Sequence, residues 1–523
     1  MSKRYLHVRP IQRCVLAILL LALCLIGTKP VTAAQPSAAD FAVIDAYIET
    51  RMRELRIPGL ALGIVEGDQI VHLKGFGVAG SDGRRVTRQT PFQINSLVKP
   101  MTGVAIMQLV EQGKLDLDAP VQHYLPWFGV ADEAASAQIT IRHLLYHTSG
   151  LPTTAGMENA LSGDDRVNAL ELRVRALRSV QLNRPVGQSY EYSNAGYQIL
   201  GLLVQQISAQ PYEAYMQEHI FAPLDMQQTF TDWTEARAHG AASGHRFWFG
   251  VPLASELPVN RANLPAGAHT SASAEDVAHF LIAQLNGGRF GNTALLSPSR
   301  IAEMQQPVIP QGDGHKFYAM DWTVARIGNA STMVKAGAGA NFFSLMSLLP
   351  KRQLGLVVLM NANKGLGSPL GDEQLLGLPY NVVEMLLGQQ PTVLPVDPKP
   401  TVLYAILFLA VIVQAVGMAH TALRLFPWKR RPEQQPQVRR ALALWLPMAL
   451  NLGWGMFALL GVPALFGVSL SLLGYLAPDF GLLLLESGAT ALLWGVVRTA
   501  LVWWKFRTSQ AEASLVIRAP LKA

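Results

Sequence analysis

Leu60-Ala61-Leu62-Gly63-Ile64-Val65, then Glu66-Gly67-Asp68, then Ile70-Val71-His72-Leu73-Lys74-Gly75: two alternating runs about a polar turn with a central glycine predict a β-hairpin near the chain start. Phe342 to Leu349 and Leu354 to Met360 repeat the pattern about Pro350-Lys351-Arg352. Between these hairpins, Pro100 to Gln112, Ile141 to His147, Ala195 to Ile207 and Ala274 to Leu285 carry helical periodicity. Strands at both ends and helices between them predict an α/β (α+β) fold. One antiparallel sheet is assembled from the two chain ends, with a helical insertion.

Outside this region the chain changes character. From Thr401, Val402 to Leu423 has no formal charge and is long enough to cross a bilayer. Arg424, Lys429, Arg430, Arg431, Arg439 and Arg440 follow with only Glu433 opposing, which the positive-inside rule assigns to the cytoplasm. Ala441 to Pro478 is uncharged and interrupted by Pro447, Pro463 and several glycines, so it reads either as one span plus an interfacial or re-entrant piece, or as two spans. Leu482 to Trp503 supplies the last crossing, and the basic tail after it again favours the cytoplasm. At the other end Lys3, Arg4, Arg9 and Arg13, the apolar run Val15 to Gly27 and the small residues to Ala34 predict a signal peptide cleaved after Ala33 or Ala34. Leu23 before Cys24 argues against a lipoprotein signal.

The expected layout is therefore a signal peptide over 1–33, a folded domain over 34–395 and a transmembrane region over 396–523. Three spans lie near 401–423, 441–461 and 482–503, and 464–478 is interfacial or re-entrant. Gln390 to Pro400 reads as a stiff linker. With these assignments the folded domain lies outside the cytoplasm of a bacterial cell and faces the periplasm. The composition agrees: of 523 residues half are hydrophobic and 15% charged, a pairing expected when part of the chain sits in lipid. The formal charge of +7 is spent beside apolar segments, with no basic patch interleaved with aromatics, so nucleic acid is excluded as a partner. The two cysteines, Cys14 and Cys24, both lie in the expected signal peptide.

The chemistry-bearing residues come in three groups. Ser96-Leu97-Val98-Lys99 opens a helical run, and three-residue spacing there stacks an amine beside a hydroxyl on one helix face. Such a serine can become a nucleophile, although by itself Ser96 also reads as a helix cap. Tyr192-Ser193-Asn194 follows on a turn before a helix, and Lys335-Ala336-Gly337 ends a candidate strand. His143 and His147 sit one helical turn apart, yet lack an adjacent glutamate or an evident third ligand for a metal.

In this order, Ser-x-x-Lys, Tyr-x-Asn and Lys-x-Gly resemble the active-site set of the serine β-lactamase and penicillin-binding-protein family, including class C β-lactamases, D-alanyl-D-alanine carboxypeptidases and related esterases. Leu109 to Leu117, Ile139 to Pro152 with its His147-Thr148-Ser149-Gly150, Pro223-Leu224-Asp225-Met226 and Ser271 to Asp276 are similar to that family's other signatures, so the resemblance runs from about Phe41 to Asn363. It implies that Ser96 forms an acyl-enzyme, with Lys99 in its proton network and Tyr192 as general base, its phenolate favoured by the ammonium groups of Lys99 and Lys335. It further implies that Asn194, Lys335 and Gly337 bind substrate. The backbone amides of Ser96 and Ala338 form the oxyanion hole, and no metal or organic cofactor is needed.

Two positions depart from the pattern. Ala336 stands where penicillin-recognising members carry a Thr or Ser hydroxyl, and Asn341 stands where many relatives have glycine, which predicts a bulkier pocket edge. The expected partners are a small-molecule or peptide substrate and membrane lipid. The bond cleaved stays open among amide, peptide and ester, and a non-hydrolytic sensor or binding module coupled to the membrane bundle stays open beside the enzyme.

Overall fold

The computed structural model describes residues 38–157, 163–312, 314–365, 373–392, 394–395, 397–425 and 437–517. The expected signal peptide, the most basic part of the first loop and the end of the tail lie outside them. A first helix, α1, spans Ala38–Leu55. The chain from Ala46 onward packs as one unit, which carries the sheet, the remaining helices and the site.

The quoted hairpin forms as read: β1 (Gly59–Glu66) and β2 (Gln69–Gly77) pair antiparallel, with Glu66 opposite Gln69. Gly67 takes the left-handed conformation that this tight turn requires. A small outlying hairpin, β3 (His245–Trp248) with β4 (Val251–Ala254), comes next. The later part of the chain adds β5 (Ile309–Gln311), β6 (Lys316–Tyr318), β7 (Thr323–Ile327), β8 (Ala330–Ala338), β9 (Phe343–Leu349) and β10 (Leu354–Met360). The main sheet of the described residues has eight strands in the order β2-β1-β10-β9-β8-β7-β6-β5, with antiparallel neighbours. Sequence-distant β1 and β10 pair next to the β1–β2 edge hairpin, so the two chain ends do build one sheet. Every residue of β9 and β10 is buried, as their continuous apolar runs demand of strands covered on both faces.

Helices form where the periodicity placed them. They include α2 (Val98–Glu111), α3 (Ile141–Leu145), α4 (Asn194–Ser208) and α5 (Ala274–Leu285). The Ser273 hydroxyl caps α5 by accepting from the Asp276 amide. Pro100 falls within the first turn of α2, where its missing N–H removes no helical bond, so Lys99 keeps helical geometry.

The C-terminal region contains α6 (Pro398–Leu425), α7 (Gln437–Met456), the short α8 (Leu470–Leu476) and α9 (Pro478–Ile517). Three segments of the described residues are long and apolar enough to cross a membrane: Pro398–Leu423, Leu444–Leu465 and Pro478–Thr508. Large apolar side chains such as Leu409, Val413, Leu450 and Leu493 point outward, the reverse of a soluble bundle. Two readings need correction here. The expected linker to Pro400 is shorter, because Pro398 and Pro400 form the first turn of α6, a position that suits residues without an N–H. Pro463 does not interrupt the second segment: a π-helical turn over Phe457–Gly461 leads into Val462–Leu465, and the break comes at Gly467, whose φ is positive.

This region is fastened to the folded part by specific bonds. The Asp479 carboxylate accepts from the Phe249 amide and from the Tyr404 hydroxyl, each at 2.8 Å. Arg246 donates to the Tyr475 carbonyl at 3.4 Å.

Candidate active site

Ser96 sits in a single 3₁₀ turn, Asn95–Leu97, that feeds straight into α2. Asn95 adopts a positive φ of 50°, a conformation that asparagine tolerates better than most residues. The turn is pinned against β8 and β9: Ser344 Oγ donates to the Ile94 carbonyl at 2.7 Å. Gly337 is what permits this approach, since a Cβ there would collide with the Ile94 carbonyl oxygen and Ser344 Oγ. Gly337→Ala is therefore expected to cost about 1–3 kcal/mol, the range for overpacking a tight interior, and to displace Ser96. A lowered unfolding midpoint together with slower labelling of Ser96 checks this.

Around Ser96 the structure gathers the residues singled out by spacing. Ser96 Oγ lies 2.8 Å from Tyr192 Oη and 3.1 Å from Lys99 Nζ. Lys99 Nζ also donates to Asn194 Oδ1 at 2.9 Å and to the Ala266 carbonyl. Lys335 Nζ stands 5.4 Å above the Tyr192 ring and donates to Tyr318 Oη at 3.1 Å. Ser96, Asn194 and Ala338 line one cavity of ≈ 130 Å³, which places the Ser96 and Ala338 backbones on the same small space.

The loop bearing Tyr192 is held by the segment that contains His147. The Glu191 amide donates to the His147 carbonyl at 2.8 Å, the Ser193 amide donates to His147 Nδ1 at 3.1 Å, and Thr153 Oγ1 donates to the Tyr192 carbonyl at 2.6 Å. His143 turns its own Nδ1 to the Thr140 amide at 3.2 Å in a capping box. Each histidine thus uses one ring nitrogen for backbone support. Among the described residues no group of three or more metal-ligating side chains is found.

Burial dominates the electrostatics. It drives Lys99 well below the ordinary lysine range, and the positive charge of Lys335 adds to the effect, so the neutral amine is favoured relative to an exposed lysine. Burial also lowers Lys335, to about 8, against the opposing pull of Asp321. His147 is held well below its usual value by burial and by both lysines. The Tyr192 phenol is pushed up by burial, which outweighs its hydrogen bond with Ser96. The direction runs against the expected phenolate: burial, joined by the charge of Asp321, favours the protonated phenol. A neutral Lys99 has two hydrogens and one lone pair. With Asn194 Oδ1 and the Ala266 carbonyl engaging two hydrogens, the third position of Nζ faces Ser96 Oγ: the ammonium donates there, and the neutral amine would accept the hydroxyl proton through its lone pair.

Asn341 also differs from its reading. It is buried and donates to the Ser255 carbonyl at 2.6 Å, while Ala338, Gly339 and Ala340 face the cavity, so the pocket edge is not made bulky at this position. Three contributors went unread as site residues: His147, whose ring packs 4.5 Å from that of Tyr192; Tyr318, the partner of Lys335; and Asp321. Asp321 is fully buried with a positive φ, and burial raises its carboxyl to about 8 against the lysines. Its sequence signal was a lone acid within Phe317-Tyr318-Ala319-Met320-Asp321-Trp322.

The Beta-lactamase family matches residues 44–378, nearly the whole folded part and well over half of the chain. The chain belongs to the beta-lactamase family. Among its relatives, Protein flp of Staphylococcus aureus (strain MW2) is 30% identical over 322 residues, covering 61% of this chain and 63% of that protein. The chain thus matches less than two thirds of that relative's length. Penicillin-binding protein 4 of Amycolatopsis lactamdurans is 30% identical over 375 residues, 66% of this chain and 91% of that one. The octameric penicillin-binding protein homologue from Pyrococcus abyssi shares the fold, with a TM-score of 0.58 at 24% identity over 67% of this chain and 78% of that one. The beta-lactamase fold accounts for the sheet built from both chain ends.

Proposed function

We propose that this beta-lactamase family member is a membrane-anchored serine hydrolase that forms an acyl-enzyme on Ser96 and cleaves an amide, peptide or ester bond outside the cytoplasm. The observation that carries the reading is the geometry at Lys99, whose Nζ is held by Asn194 and Ala266 with Ser96 Oγ 3.1 Å away, in a site whose burial favours the neutral amine. Ser96 Oγ attacks the substrate carbonyl as its proton passes to the Lys99 lone pair. The oxyanion meets the amides of Ser96 and Ala338. As the bond to the leaving group breaks, that group takes the proton of Tyr192, and the ammonium now at Lys99 returns a proton to the phenolate. Water then repeats the sequence on the acyl-enzyme, releasing the acid and freeing Ser96. Lys335 holds positive charge beside Tyr192 throughout. Anchoring is supported by the three long apolar helices, and the side of the membrane by the expected signal peptide and the basic loops.

The test is labelling of the full chain with a fluorophosphonate, followed by location of the adduct by mass spectrometry. An adduct on Ser96 is expected; an unlabelled Ser96, or an adduct elsewhere, overturns the reading. The pH profile provides a second check. Since Lys335 titrates at about 8, kcat/KM for a chromogenic ester is expected to fall as pH rises past that value and the ammonium beside Tyr192 loses its charge. Lys335→Met should remove this alkaline limb and lower the plateau.

A further inference from the structure

One wall of the serine cavity comes from the C-terminal region. The short helix α8 is set by Ser469, whose hydroxyl accepts from the Leu472 amide at 3.2 Å, and it ends before Pro478. Leu472, Tyr475 and Leu476, spaced i, i+3 and i+4, present one helix face to the cavity that also holds Ser96 and Asn194. A catalytic pocket for a freely soluble, polar substrate has no use for a leucine-rich wall supplied by the membrane helices.

Leu476 has a second side. It also lines a groove of ≈ 430 Å³ whose other walls include Phe249 of the β3–β4 hairpin, Tyr404 and Phe408 of α6, and Ala477, with Lys364 and Asp479 as its charged lining. The rings of Phe249 and Phe408 lie 5.7 Å apart, so hairpin and helix form one apolar surface. The hairpin tip is unusual for a water-facing loop: Phe249, Val251 and Leu253 are each about half exposed. Exposed apolar residues beside a helix able to cross a membrane belong at the lipid boundary. The serine cavity and this boundary groove therefore share a wall residue.

We propose that the substrate is an amphiphile resident in the same membrane, its hydrocarbon chain lying in the groove past Leu476 while its ester or amide bond reaches Ser96. The inference rests on the serine hydrolase reading and adds the substrate class to it. The reaction is unchanged: the Ser96 Oγ–acyl bond forms, the bond to the leaving group breaks, that group leaves with a proton, and water releases the acid. For an ester that reaches the groove from water as a monomer, each methylene that enters gives roughly a four-fold gain; for a chain arriving from lipid the gain is small and the groove selects by length.

The experiment uses the full chain in detergent micelles and two ester series, one lengthened in the acyl half and one in the alcohol half, with Ser96→Ala subtracted as background. Over chain lengths that stay monomeric in water and do not partition into the micelles, rising kcat/KM with chain length in at least one series is expected, with total gains of about 10²-fold over several methylenes. Leu476→Trp, which narrows the shared wall, should move the optimum to shorter chains, a change that partitioning into micelles cannot produce. Ala477→Leu, which fills the groove from another wall, should do the same if the tryptophan variant fails to fold. Fluorophosphonate labelling of Ser96 identifies folded, competent protein in every case. Flat profiles in both series, or identical profiles in wild type and labelled variants, overturn the amphiphile and leave the hydrolase standing. Failure of the wild-type chain to label at Ser96 overturns the hydrolase reading itself.

Discussion

Lys99→Met is expected to lower kcat/KM by about 10²–10⁴-fold, the usual contribution of a general base, while leaving the folded protein as stable as wild type or more so. The two halves of this expectation share one cause. A lysine buried to 0% exposure carries a desolvation cost that drives it well below the ordinary lysine range, and methionine fills the same space without it. The sign with pH follows. In the window between its depressed folded value and the ordinary lysine range, the amine binds a proton in the unfolded chain and none in the folded one. Wild-type stability therefore gains from Lys99 as pH rises through that window, and the variant loses this dependence. Asp321 acts in the opposite sense between the ordinary carboxyl range and about pH 8, and because it and Lys99 shift each other, the difference between wild type and variant reports the amine together with its coupling to Asp321. Tyr192→Phe serves as the comparison. Because its phenol stays protonated, its loss removes a proton donor to the leaving group and should matter most for substrates with poor leaving groups. Equal losses for good and poor leaving groups would return the base role to Tyr192.

Local pattern carried much of this architecture and part of the site. Both hairpins were legible because alternation about a polar turn is a short-range signal, and β1 with β10 then had to share a sheet to bury their apolar faces. Ser96, Lys99, Tyr192 and Asn194 were legible as spacings, and the structure brings them within hydrogen-bonding reach of one another. Protonation states were not legible, since they depend on burial, and burial reversed the expected state of Tyr192. Tyr318 and Asp321 escaped for a related reason: each acts through a partner on another element, with no spacing to mark it. The segment Leu470–Leu476 read only as apolar and interfacial, and nothing local indicated that one of its faces closes the serine cavity.

Ser96→Ala is expected to abolish turnover almost entirely, by about 10⁶-fold if acylation and deacylation both pass through this oxygen, since removing a nucleophile that acts in concert with its base forfeits the whole constellation. Such a loss is about 8 kcal/mol of transition-state stabilisation, far beyond what the packing of one hydroxyl could supply. The side chain is only partly buried and its oxygen sits between Tyr192 and Lys99, so alanine leaves the turn Asn95–Leu97 intact and the fold unaffected. The same variant separates an enzyme from an acylated sensor when read with wild-type kinetics. Both acylate at residue 96, and both lose the adduct on substitution. Only the enzyme goes on to release it, because the second half-reaction needs a base still poised beside the ester carbon, and the bonds that hold Lys99 to Asn194 and Ala266 do not involve Ser96. A burst of leaving group followed by steady turnover in the wild-type chain is the expected result. A single stoichiometric burst with no further release, over hours and across pH 6 to 9, would assign the site to sensing and make α8, the membrane-side wall of the cavity, the route by which acylation is felt.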